Sequence, residues 1–195
     1  MRVAFGLKAH SGWAALVVIA KENGEYVVVD RRRLELVEET WAKQPYHAAE
    51  GCKPEIARDL VKRGIAAANR IAFRELRSAV KHEEKRGNKV IGCGVLVTAP
   101  MPAWSTDEIL AVHFRMHKAE GVLFREVLCD AAEKCQVRLV RVQEKSVGAY
   151  PERTLKMSVA DLSNSISKLG KSVGPPWGKD QKEAATAAMI ALASV

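Results

Sequence analysis

Arg2-Val3-Ala4-Phe5-Gly6-Leu7, then Trp13-Ala14-Ala15-Leu16-Val17-Val18-Ile19-Ala20, then Tyr26–Leu36 are three apolar or β-branched runs separated by turn residues. The first break is Lys8-Ala9-His10-Ser11-Gly12. The second is Lys21-Glu22-Asn23-Gly24, whose Asn-Gly pair accepts the positive φ of a tight hairpin. The third run starts β-branched and is then broken by Arg31-Arg32-Arg33. Consecutive strands joined by tight turns predict an antiparallel meander.

Outward from the meander, the pattern changes period. A long helix is predicted from near Pro54, a residue tolerated in a first turn, to about Arg86. At about 100° per residue, Val61, Ile65, Ala68, Ala72, Leu76 and Ala79 share one face. Arg63, Arg70, Arg74, Arg77 and Lys81 fall within about 40° of a line on the opposite face. Gly87-Asn88 ends the helix. Lys89–Thr98 is a continuous apolar run, as expected of a central strand covered on both faces. Ser105 and Glu108 form a capping box, stapled by Trp104 and Ile109, that starts a second helix predicted over Thr106–Cys135.

Val137–Val142 alternates as a further strand. The polar stretch Glu144–Gly178 holds one short helix, Val159–Leu169, capped by Ser158 and ended by Gly170. Gly174-Pro175-Pro176-Trp177-Gly178 follows, as a rigid lid or as a stiff connection docking Trp177, and an Ala-rich helix begins near Asp180. The order β-β-β-α-β-α-β-α predicts an α/β mixed sheet with helices on both faces. No repeat or dividing linker interrupts it, so residues 1–195 are expected to form a single domain.

Composition narrows the classes. A 48% hydrophobic and 28% charged chain is neither disordered nor fibrous. Its longest apolar runs, Trp13–Ala20 and Val95–Pro102, fall far short of the roughly 20 residues of a membrane span. Met1-Arg2-Val3-Ala4-Phe5-Gly6 shows no secretory pattern, so a cytoplasmic protein without a membrane role is expected. The net charge of +8 favours phosphate-bearing or acidic partners, nucleic acid among them. Cys52, Cys93, Cys129 and Cys135 form no CxxC pair and are expected to be reduced packing residues.

Ala119-Glu120-Gly121-Val122-Leu123 through Val137-Arg138-Leu139-Val140 to Lys145 resembles the helix, strand and lysine of Holliday-junction resolvases, a branch of the ribonuclease H-like superfamily. Phe5-Gly6-Leu7-Lys8-Ala9-His10-Ser11-Gly12-Trp13 is similar to that family's first strand and turn. The resemblance implies the ribonuclease H-like fold. It also implies a phosphodiester-cleaving centre whose carboxylates hold two divalent metals about 4 Å apart. The chain departs from it. Lys8 stands at the first-strand carboxylate position, Thr98-Ala99-Pro100 carries no carboxylate, and only Asp180 and Glu183 match in type and place. An ammonium at a metal position repels the metal, so the resolvase mechanism does not carry over.

What remains is a set of polar residues on an apolar stripe. With His113 at zero, His117 lies at about 40° and Glu120 at about −20°, in line with Leu110, Phe124, Val127 and Ala131. Lys8, His10, His113, His117, Glu120 and Asp180 are the candidate catalytic residues, and His10, His113, His117, Glu120, Asp180 and Glu183 are expected to line one cleft. Asp180, Glu183, His113 and His117 are the candidate ligands of a divalent metal. The histidines equally suit phosphate binding, acid–base work, or plain hydrogen bonding at the core edge. Lys118, Arg125 and Glu126 are expected to be solvated.

Arg63, Arg70, Arg74, Arg77 and Lys81 span about 27 Å of helix, enough to follow a phosphate backbone. They equally suit a plain solvated face. Three functions therefore stand open: a divergent nucleic-acid-binding domain without the usual metal site, an enzyme with a rebuilt His/Glu/Asp site, and a homo-oligomerising or structural module.

Overall fold

A computed structural model describes residues 1–147 and 154–194. Residues 148–153 of the polar stretch lie outside the described residues. Strand β1 (Arg2–His10) occupies the middle of a five-stranded sheet of order β3-β2-β1-β4-β5. β2 (Trp13–Glu22) and β3 (Glu25–Glu35) continue it antiparallel, and β4 (Lys89–Val97) and β5 (Leu139–Gln143) lie parallel beyond it. The β2–β3 turn takes the expected form, with φ of 50° at Asn23 and 89° at Gly24. The predicted mixed sheet is the sheet observed.

Alternation along β1 determines what each face receives. Val3, Phe5, Leu7 and Ala9 pack in one core with Ala68, Ala72 and Leu76 of α2 (Pro54–Lys85) and Phe124, Val127 and Leu128 of α4 (His113–Lys134). The intervening positions belong to the opposite face, which α5 (Val159–Val173) and α6 (Lys179–Ala193) cover. There Gly6 and Gly94 bring backbone against backbone. A Cβ on Gly6 would sit 1.8 Å from the Ala184 carbonyl oxygen, and one on Gly94 would sit 2.2 Å from that of Ala187. This close seat is why α6 is alanine-rich, and it fixes the first turn of α6 above the end of β1.

Several expectations need correction. The second helix is two: α3 (Thr106–Leu110), with the capping box in place, and α4 from His113. Between them Val112 is extended, at φ −138° and ψ 112°, a conformation its β-branched side chain favours over helix. The arginines of β3 do not end it. Arg31 donates to the carbonyls of Val173, Gly174, Pro175 and Pro176, tying down the connection after α5. Gly170 does not stop α5 either; it makes room for Trp177, whose Cδ1 lies 2.3 Å from where a Cβ would be. Trp177 Nε1 donates to the Ile166 carbonyl at 3.1 Å, so the segment is a docked connection. A 3₁₀ turn (Thr40–Lys43) and a one-turn helix α1 (Pro45–Ala48) were not foreseen.

The cysteines divide by environment. Cys93 and Cys129 are fully buried, and burial pushes both thiols up, Cys129 to about 12. Cys52 is exposed. In the native protein iodoacetamide should alkylate Cys52 and leave Cys93 and Cys129 unmodified until denaturant is added, as peptide mass spectrometry would show.

Candidate functional site

The residues of β1 that face α6 reach the strand's carboxyl end as Lys8 and His10. Lys8 is only 5% exposed. Its Nζ contacts Oε1 of Glu144, which opens the 3₁₀ turn (Glu144–Ser146) directly after β5, and lies 2.9 Å from Oε2 of Glu183 in the first turns of α6. Arg125 of α4 donates to Glu144 Oε2 at 2.9 Å, and Lys179 lies 3.8 Å from Glu183. The Lys8–Glu183 contact is an ion pair without hydrogen-bond alignment. Burial alone would raise the Glu144 carboxyl, but the hydrogen bonds and charges of Lys8 and Arg125 outweigh it and hold Glu144 below the usual carboxylate range. Cations and carboxylates thus alternate along a chain, Lys179–Glu183–Lys8–Glu144–Arg125.

His10 pairs with Asp180 at 2.9 Å, again without hydrogen-bond alignment, and stacks on Trp13 across the β1–β2 turn with centroids 4.3 Å apart. A recess of about 220 Å³ at the strand end has His10 and Ser11 on one side and Glu120, Phe124 and Arg125 on the other. Arg125, expected to be solvated, is instead half-buried in the Glu144 pair.

His113 and His117 do not join this network, so the expected metal set of Asp180, Glu183, His113 and His117 does not assemble. The two histidines project from the first turns of α4 and are exposed; only Glu120 of that trio is buried. Glu120 accepts from the backbone N–H of His47 at 3.0 Å, lies 2.6 Å from His47 Nδ1, and accepts from Gln44 at 3.3 Å. It anchors the start of α1 to α4. His47 was missed because a one-turn helix carries no periodic signal. Glu144 was missed as a site residue although the carboxyl end of a parallel strand is where α/β sheets place functional groups.

The basic face of α2 is only partly free. Arg63 pairs with Asp59 at 3.1 Å, and Arg70 and Arg74 share Glu38 at 3.5 and 3.0 Å. The hydrogen bond from Arg74 and the charge of Arg70 hold the exposed Glu38 below the usual carboxylate range. Arg77, over the Phe73 ring at 5.8 Å, and Lys81 make no ion pair among the described residues. With Lys85 they line one groove. None of the described helices is long and apolar enough to cross a membrane.

No protein-family model matches the chain, and no curated protein matches it either. Solved structures do. The Thermus thermophilus RuvC structure aligns at 9% identity and a TM-score of 0.49, covering 96% of this chain and 92% of that one. T. thermophilus RuvC in complex with Holliday junction substrate aligns at 9% identity and a TM-score of 0.50, covering 97% of this chain and 92% of that one. The likeness shows the fold, a ribonuclease H-like mixed sheet with helices on both faces.

Proposed function

We propose that this chain is a divergent ribonuclease H-like domain of the resolvase branch that binds nucleic acid and has lost the carboxylate metal centre. The observation that carries this is the seat of the Lys8 ammonium between Glu144 and Glu183 at the carboxyl end of the central strand. In the family that end holds divalent cations; here a covalently attached cation fills the space between two carboxylates. Thr98-Ala99-Pro100, just past β4, offers no further anionic oxygen ligand. The residues present do not fit a two-cation site.

Nucleic acid is the partner class favoured by the charge of +8, by the groove of Arg77, Lys81 and Lys85, and by the similarity to a structure solved with a Holliday junction. Each neutralised phosphate steepens the dependence of log K on log salt by about 0.9. Replacing Arg77, Lys81 and Lys85 together by glutamate should therefore flatten that slope by about 2.7 in fluorescence-anisotropy titrations of a labelled duplex or junction. Arg70→Glu with Arg74→Glu should weaken binding less, because Glu38 already neutralises part of that charge. An unchanged slope in the triple variant removes the α2 groove as the binding face.

A further inference from the structure

We infer that His47, His113 and His117 form a transition-metal site, with zinc the expected ion. One ring nitrogen of each of the three lies within 4.8 Å of those of the other two. Nε2 of His113 and Nε2 of His117 are 3.1 Å apart, and the ring centroids stand 4.6 to 5.2 Å from one another. Zinc–nitrogen bonds of about 2.0–2.1 Å in a tetrahedron place ligand nitrogens about 3.3 Å apart, so side-chain rotation alone closes the set.

The independent support is a carboxylate behind one of the rings. The buried Glu120 carboxylate lies 2.6 Å from His47 Nδ1, and Glu50 lies 3.6 Å from His113 Nδ1. At 2.6 Å Glu120 engages Nδ1 of His47 and holds that ring with its other nitrogen left for an ion, as carboxylates behind metal-bound histidines do. Helical spacing supplies the other pair: His113 and His117, four residues apart at the start of α4, sit one turn apart with their rings edge to face. Imidazole donors without thiolates suit zinc, copper or nickel rather than magnesium. Three protein ligands leave one position of a tetrahedral ion open to water. The three histidines make no ion pair with Lys8, Glu144 or Glu183.

The test uses untagged full-length protein stripped with chelator and dialysed. Isothermal titration with zinc chloride should show one ion bound per chain, and cobalt should give the intense visible bands of a tetrahedral site. His113→Ala with His117→Ala should abolish both signals while far-ultraviolet circular dichroism stays unchanged, since both side chains are exposed. Glu120→Gln, which keeps the side chain's shape, should weaken zinc about 10- to 100-fold. The inference is overturned if wild type binds no zinc, or if the double variant binds it as tightly as wild type. Nucleic-acid binding does not enter either readout, so this site and the proposed function fail separately.

Discussion

Lys8→Ala should destabilise the folded chain by about 3 kcal/mol, the lower end of the range of about 3–5 for removing one partner of a buried ion pair. The loss comes less from the missing attraction than from what is left. Glu144 and Glu183, with side chains 25% and 18% exposed, would face the same space with no cation between them. Their residual exposure keeps the cost from the top of the range. Adding Glu144→Gln and Glu183→Gln should recover part of the loss, and the non-additivity in chemical denaturation measures the coupling.

The sign with pH is fixed by Glu144. Its carboxyl is held below the usual range in the folded state, so the stability it contributes is present above that range and lost as pH falls through the depressed folded value. Wild type should therefore lose stability on acidification. Lys8→Ala should lose less, because one cause of the depression is gone. Equal acid slopes in the two proteins would contradict the ion-pair account.

Gly6→Ala should destabilise by at least the upper end of the about 1–3 kcal/mol typical of overpacking. The added methyl meets the Ala184 carbonyl at 1.8 Å and the Ala188 amide nitrogen at 2.6 Å. Both are backbone atoms of α6, so no side chain can rotate away and the helix itself must lift. Lifting it moves Asp180 and Glu183 off His10 and Lys8, so the variant should also show altered exposure at the strand end. Gly121→Ala is the control. That glycine lies within α4, is exposed, and has nothing within 4 Å of the position a Cβ would take. The alanine should stabilise by about 0.5–1 kcal/mol. Thermal unfolding of the two single variants separates a glycine kept for close approach from one that is not.

The frame of the molecule was legible because it rests on periodicity. The meander, the long α2, the apolar β4 and the Ser105–Glu108 cap were all located within a few residues. Where the expectation failed, the deciding interaction was long-range. Gly170 looked like a helix stop, but its role is set by Trp177, seven residues on and across a turn. Arg31-Arg32-Arg33 looked like the end of a strand, yet Arg31 bonds carbonyls more than 140 residues away.

The candidate site divided in the same way. His10, Asp180 and Glu183 were expected to share a cleft; strand alternation brings His10 to Asp180 and Lys8 to Glu183 at the first turns of α6. The histidine stripe of α4 was expected to point into that cleft. Only Glu120 reaches it, because the buried face of the first turns of α4 carries Met116, Ala119 and Glu120 and leaves His113 and His117 exposed. Glu144 and His47, which complete the two clusters, lie 136 and 73 residues from their partners Lys8 and Glu120. Pairing at such distance leaves no local trace in a single sequence.

The account turns on Lys8 standing where a nuclease would hold metal. The most direct measurement is one gel in which labelled four-way junction and duplex meet the protein at low and high salt, with and without magnesium. The account predicts a shift that weakens with salt, does not depend on magnesium, and leaves every strand intact. Magnesium-dependent nicking that Glu183→Gln abolishes would contradict it, for the carboxylates would then hold the metal that Lys8 is said to replace.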